Sequence, residues 1–228
     1  RCKMKICLIT PPSPFLLDER VFMHLGVLKV ASSLEQAGHN VSFLDLSGIE
    51  NYLDVVKDFA VKNRGTVYGI TATTPQIPFA VHISQTLKRN DQTARTIIGG
   101  PHVTLMHTAS KRELKKGLHL SDRATNEVEN MKKIFDVLVC GDGEFAIHDA
   151  IKLQSGIIDA DDRKSKYFLS NQDFSSLPLP ARHLVDVDSY NYSIEGKKST
   201  SLIAQLGCPF KCSFCSGRNS PFLRKIRQ

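Results

Sequence analysis

The strongest constraint on this chain is an alternation of two hydrophobic periods in its first 154 residues. Short runs that are apolar at nearly every position alternate with longer stretches whose apolar residues recur every three or four positions. Lys5-Ile-Cys-Leu-Ile-Thr10 is such a run and ends at Pro11-Pro12. Continuous apolar runs of this length read as strands buried on both faces. A helix pattern follows from about Phe22 to Ala37, with Val27, Val30, Ala31 and Leu34 on one face. Gly38 fits the position just past its end. Further strands are predicted over 41–46, 66–71, 95–99 and 136–140. Helices are predicted around Leu53 to Ala60, Phe79 to Leu87 and Glu144 to Gln154.

This pattern predicts an α/β fold, a doubly wound five-stranded parallel sheet of the flavodoxin or Rossmann kind. Residues 103–135 separate the fourth and fifth strands and read as a surface insertion containing one helix with Val128, Met131 and Phe135 on a face. Residues 155–199 change character. Asp159, Asp161 and Asp162 lead a polar stretch, and Pro178 and Pro180 favour extended backbone, so this segment reads as an interdomain linker. Thr200 to Leu206 is predicted to be a fresh strand, beginning a further domain over 200–228.

Ligands of open α/β sheets bind outside the carboxyl ends of the strands. The turns at those ends are rich in small and hydroxyl residues. Thr10 and Pro11 lie in the first turn, and Thr71, Thr73 and Thr74 in another. Gly99, Gly100 and His102 follow the fourth strand, and Gly141, Gly143 and Glu144 the fifth. Small residues let a bulky ligand approach the backbone, and hydroxyls can bond to it. Each turn alone would be explained by Gly and Pro ending strands. His102 has the plain reading of a turn residue. Asp142 and Glu144 fit caps for the helix that begins there, and Cys7 and Cys140 small core residues.

The net charge of +7 is concentrated at one end. From Glu195 onward, Lys197, Lys198, Lys211, Arg218, Arg224, Lys225 and Arg227 oppose a single acid, so this tail carries +6 and residues 1–194 only +1. Such a tail suits either nucleic acid or an anionic substrate, or a segment whose acidic partner surface is missing from this chain. No run of 18 apolar residues exists, and the Ile6–Ile9 run is too short for a signal peptide, so a cytoplasmic location without a membrane span is expected.

Three of the six cysteines fall within eight residues, as Cys208-Pro-Phe-Lys-Cys212-Ser-Phe-Cys215. Structural zinc normally takes four ligands. A redox pair of Cys212 and Cys215 would leave Cys208 unexplained. Three thiolates on one loop suit a [4Fe–4S] cluster with one iron left open to chelate a small molecule.

The C-x3-C-x2-C spacing, with Phe214 before the last cysteine, resembles the radical S-adenosylmethionine (SAM) enzymes. Upstream, Pro11-Pro12, Leu25 to Leu28, Ala37 to Val41, Gly99 to His102, Gly141 to Glu144 and Leu177 to Arg182 resemble, in order, the cobalamin (B12)-binding subfamily of those enzymes. The resemblance covers nearly the whole chain except 103–135. It implies a cobalamin-binding domain over 1–154, a linker over 155–199, and the first strand and cluster loop of a truncated radical SAM barrel over 200–228. Cys208, Cys212 and Cys215 would ligate the cluster, and Phe214 would lie beside its SAM. The turn residues named above would contact cobalamin. One departure stands out, because the chain lacks an Asp-x-His-x-x-Gly motif after its first strand, so cobalamin would bind without that histidine on cobalt. The implied chemistry is reductive cleavage of SAM with methyl transfer, or radical oxidation and cyclisation as in an oxidative cyclase, on a small-molecule substrate. A donor such as flavodoxin or ferredoxin would supply electrons. No catalytic residue is assigned within this segment, which alone is expected not to cleave SAM. Rival readings are a cobalamin-binding module without catalysis, and a zinc- or nucleic-acid-binding protein with a Cys-rich basic tail.

Overall fold

A computed structural model describes residues 3–116, 122–210 and 212–228. Six strands form one sheet in the order β2-β1-β3-β4-β5-β6, with every neighbouring pair parallel. They are β1 (Lys5–Thr10), β2 (Asn40–Asp45), β3 (Val67–Thr71), β4 (Arg95–Gly99), β5 (Val137–Cys140) and β6 (Gly156–Asp159). Chain order reverses beside β1, where β2 lies on one side and β3 on the other. That is where such sheets open a crevice at their carboxyl edge.

The period-2 alternation divides the core into two layers. Cys7 and Ile9 of β1, with Ile98 of β4 and Leu138 of β5, pack against α2 (Tyr52–Lys62), α3 (Ile77–Asn90) and α5 (Arg123–Ile134). Ile6 and Leu8, with Ile97, Val137 and Val139, pack against α1 (Leu25–Gln36) and α6 (Gly143–Ala150). Ile6, Ile9 and Leu28 are fully buried, and each such side chain contributes about 1.5–3 kcal/mol when removed from water. Among the described residues, α1 and α6 are the long helices on the second face, and they touch where Ser33 Oγ donates to the Glu144 carbonyl at 2.8 Å.

The α/β doubly wound sheet stands as expected, with three corrections. First, the sheet has six strands, because β6 lies inside the segment read as a linker. Its Gly-Ile-Ile-Asp carries only two apolar residues, and its pairing with β5 creates it. Single residues of the rest of that segment are also packed. Leu169, Phe174, Ala181 and Tyr190 are buried, and the Ala181 amide donates to the Leu28 carbonyl at 3.0 Å. Second, residues 103–135 are no surface insertion. Their described part forms α4 (Pro101–Lys116) and α5 between β4 and β5, and Val103 is fully buried, while 117–121 lie outside the described residues. A charged outer face on α4, with Lys111 and Arg112, hid its buried one. Third, the described part of 200–206 forms no strand. Its sheet-like pairing is one antiparallel bridge between Leu206 and Arg227, since a strand exists only where another backbone edge accepts its hydrogen bonds.

The remaining elements are short. They are α7 (Asn171–Ser176), the hairpin of β7 (Ser193–Ile194) and β8 (Lys197–Lys198), and α8 (Pro221–Arg224).

Candidate cofactor cavity

A cavity of ≈ 250 Å³ is lined by the first turns of α1 and α6 and the carboxyl ends of the sheet. Its floor is Leu8, Gly69, Ile70, Ile97 and Val139, and its walls include Val27, Val30 and Ile147. Gly99, Gly100, Gly141 and Gly143 form the rim at the strand ends, and Ile203, Leu206 and Phe222 close it from the C-terminal segment. The lining is overwhelmingly apolar, so a bound group would sit away from water.

Two rim glycines are demanded by the backbone. Gly100 has φ +96°, and a Cβ there would stand 2.6 Å from Thr71 Oγ1. Gly141 has φ +89°, and a Cβ would stand 2.6 Å from the Ala160 carbonyl carbon. Both positions need a left-handed conformation and a close crossing of chains, which glycine alone gives freely.

Charge gathers at one end of the cavity. Lys29 of α1 is buried, with its ammonium 4.0 Å from the centre of the Phe174 ring. Burial lowers its pKa, opposed by the nearby carboxylates of Glu144 and Asp142. Glu144, in the first turn of α6, is pushed up to about 7 by burial and then by Asp142 beside it. Asp142 is raised by burial despite an ion pair with the guanidinium of Arg227. It occupies the N-cap position of α6 but makes no capping hydrogen bond, because its carboxylate is turned to Arg227. His24 also lines the cavity. Its Nδ1 accepts from the Val27 amide at 3.3 Å and so starts α1, and burial keeps the ring neutral.

Of the turn residues expected to contact a cofactor, Thr71, Gly99, Gly100, Gly141, Gly143 and Glu144 line this cavity. Thr10, Pro11, Thr73, Thr74 and His102 do not; all but Thr10 belong to a hydrogen-bonded knot beside it. Gln76 Nε2 donates to the Pro11 carbonyl at 3.0 Å, and the Thr73 hydroxyl donates to Gln76 Oε1 at 2.9 Å. His102 Nδ1 pairs with Thr74 Oγ1 at 3.0 Å and its Nε2 with Glu127 at 3.3 Å, so both ring nitrogens are engaged. The plain reading of His102 holds, except that it stands in the first turn of α4. Thr10 Oγ1 is buried without a partner.

Sequence reasoning missed Lys29, Gly69, Ile203, Leu206 and Phe222. Lys29 had a signal, a lysine beside the apolar stripe of a helix. The last three carry none, because only the tertiary fold brings them to the cavity.

Cys208, Cys212, Cys215 and Phe214 lie exposed on the loop after Gly207. Among the described residues, no group of three His, Cys, Asp or Glu side chains is gathered to hold a metal ion. The donor set therefore has the right chemistry for a cluster, while the three thiols are not drawn together.

Comparison with known proteins bears directly on this cavity. Residues 20–120 match the B12 binding domain. That span includes α1 to α4 and the Gly99-Gly100 rim. Two curated relatives are methyltransferases by name. One is an uncharacterized methyltransferase of Pyrococcus horikoshii, 25% identical over 93% of this chain and 45% of its own length. The other is the hopanoid C-3 methylase of Methylococcus capsulatus, 24% identical over 90% of this chain and 38% of its own. This chain thus spans less than half the length of either. Among solved structures, the fold is shared with TsrM, a radical SAM methyltransferase of Kitasatospora setae. Its complex with cobalamin and a [4Fe–4S] cluster superposes at a TM-score of 0.57 and 13% identity, over all of this chain and 44% of that one. Its complex with tryptophan and a SAM analogue gives 0.56 and 14%, over 99% and 43%. The resemblance to cobalamin-binding radical SAM enzymes, drawn from the motifs, is borne out. Among the described residues, no helix is long and apolar enough to cross a membrane.

Proposed function

We propose that this chain is the cobalamin-binding part of a radical SAM methyltransferase acting on a small molecule. The observation that carries the reading is the apolar, glycine-rimmed cavity at the carboxyl edge of the sheet, in the region that matches the B12 binding domain. At ≈ 250 Å³ the cavity fits an apolar portion of a larger group, because Gly69, Gly99 and Gly143 leave its floor and rim without side chains. Thr71, Gly99, Gly100, Gly141, Gly143 and Glu144 would hold cobalamin together with Lys29 and Val139. His102 would not reach cobalt, since Thr74 and Glu127 occupy its ring.

When bound, cobalamin supplies methyl-transfer chemistry, and a [4Fe–4S] cluster with SAM supplies radical chemistry. The chain's own work is placement. The apolar lining excludes water, the glycines admit the ligand to the backbone, and Lys29 and Glu144 offer polar contacts at one end. Cys208, Cys212 and Cys215 would ligate the cluster, with Phe214 beside SAM and electrons from a flavodoxin or ferredoxin. The names of the two relatives favour methyl transfer over oxidative cyclisation.

The test uses the full-length protein. Incubated with hydroxocobalamin and desalted, it should carry the cobalamin spectrum; a colourless protein refutes the cobalamin site. Anaerobic reconstitution with iron and sulfide should give an iron–sulfide band that Cys212→Ala abolishes. Stoichiometric zinc without that band would sink the cluster assignment.

A further inference from the structure

The cysteine-bearing segment is tied to the cavity by two buried carboxylates that neither capping nor the cofactor reading explains. Asp161, just after β6, is fully buried. Its Oδ1 accepts from Ser220 Oγ at 2.8 Å and from the Phe222 amide at 2.8 Å, and its Oδ2 from Thr108 Oγ1 at 2.7 Å. Asp142, just after β5, pairs with Arg227, which is 1% exposed. Arg227 also donates to the Phe222 carbonyl at 2.7 Å and shares both bridge hydrogen bonds with Leu206. Asp161 thus holds residues 220–222, and Asp142 holds Arg227, whose backbone is bridged to Leu206, so together they fix the chain at 206 and again at 220.

The chain folds tightly here. Gly207 has φ +87°, and a Cβ there would stand 2.0 Å from the Lys225 carbonyl oxygen. The Cys208 amide donates to the Leu223 carbonyl at 3.0 Å. Leu206 and Phe222, the residues beside these anchors, line the cavity. Cys208 is thus two positions from the cavity-lining Leu206, and Cys212 and Cys215 lie in sequence between Leu206 and Ser220. Burying an arginine and two aspartates is expensive unless each is fully paired. A surface tail has no need of such anchors, whereas a roof that must hold one position over a ligand does.

We propose that Asp142 and Asp161 are positioning residues. They clamp the cysteine loop as the roof of the cavity, so that the loop's place and the cavity's closure are set by the same contacts. The proposal rests on the cobalamin reading for its ligand, but the clamp itself is present without one.

Asp161→Ala and Asp161→Asn in the full-length protein test it, read by hydrogen–deuterium exchange without ligand and by hydroxocobalamin release. The alanine variant should speed exchange of the Leu206, Cys208 and Arg227 amides by about tenfold or more. It should leave the β1, β3 and β4 amides protected, and it should release hydroxocobalamin faster by a similar factor. The asparagine variant keeps an acceptor for Ser220 and Phe222 and should stay near wild type in both. The iron–sulfide band should persist in both variants, since the thiols are untouched. Unchanged exchange of residues 206–227 in the alanine variant overturns the clamp. Faster exchange with unchanged hydroxocobalamin release overturns the roof. Loss of protection throughout the sheet in the alanine variant, with asparagine no better, makes Asp161 a general stability residue and also overturns the proposal. A wild-type protein that retains no hydroxocobalamin defeats the cobalamin reading instead, and the exchange comparison still decides the clamp.

Discussion

Replacing Glu144 by Gln gives a sharp test of the charge balance at the cavity. The carboxyl is buried in the first turn of α6 with Asp142 beside it, and its pKa rises from the usual 4.5 to about 7. An acid whose folded pKa is raised makes the fold less stable as pH rises. Between 4.5 and about 7 the unfolded chain releases this proton while the folded chain keeps it, and above about 7 the whole cost is present. At about 1.4 kcal/mol for each pH unit, the gap amounts to about 3 kcal/mol. Glutamine preserves the shape and cannot titrate. Wild type and Glu144→Gln should therefore be nearly equal in stability at about pH 5, and the variant should be more stable by about 3 kcal/mol at about pH 8. His24 and His107 are held neutral by burial and pull stability the other way, but they are common to both proteins and cancel in the difference. Urea unfolding followed by far-ultraviolet circular dichroism suits a chain with no tryptophan. A difference that stays constant from about pH 5 to about pH 8 would refute the buried proton on Glu144.

Three further outcomes follow from the same geometry. Gly100→Ala should destabilise the protein by more than about 1 kcal/mol, because it places a Cβ 2.6 Å from Thr71 Oγ1 at a positive φ; the denaturation midpoint reads it. Gly99→Leu meets only ordinary contacts at its Cβ, the nearest atom lying 3.5 Å away. It should fold normally and fill the cavity, so that hydroxocobalamin no longer survives desalting, and full retention would argue that the ligand sits elsewhere. Alkylation of the native protein, mapped by mass spectrometry, should label Cys208, Cys212 and Cys215 and spare Cys7 and Cys140. The first three are exposed, while burial pushes the Cys7 thiol up to about 12 and raises that of Cys140 as well. Rapid labelling of Cys7 would contradict its place in the core.

The sheet was legible because its strands are buried on both faces, so nearly every residue of Lys5–Thr10 or Val137–Cys140 had to be apolar. β6 was not, because a four-residue edge strand needs little apolar surface, and its backbone partner β5 decides its existence. Helix α4 was hidden for a related reason. The apolar residues of α4 number few beside its lysines and arginine, and only its packing on the sheet reveals them. The same distinction runs through the site. Gly99, Gly100, Gly141 and Gly143 could be named from the sequence, since a turn that admits a ligand to the backbone must be made of small residues. Leu206 and Phe222 could not, since their role arises from a fold of the tail onto the strand ends.

Asp142 joins the two halves of that lesson. Its position, one residue before a helix that starts at Gly143, is what a capping carboxylate would occupy, and local reasoning assigns it there. A cap hydrogen bond is worth about 1 kcal/mol, whereas leaving Arg227 buried without its partner would cost about 3–5 kcal/mol. The ion pair therefore prevails, and the side chain turns from its own helix to a residue 85 positions away. The basic charge of the tail acquires a specific meaning by the same step. At least one of its cations, Arg227, is held inside the protein against an acidic strand end, and Arg224 donates to the Phe210 and Pro209 carbonyls within the cysteine loop. A tail whose arginines serve to fix a loop over an apolar cavity is built for placing that loop. The exchange behaviour of Asp161→Ala, and not the net charge, is what distinguishes it from a tail that binds nucleic acid.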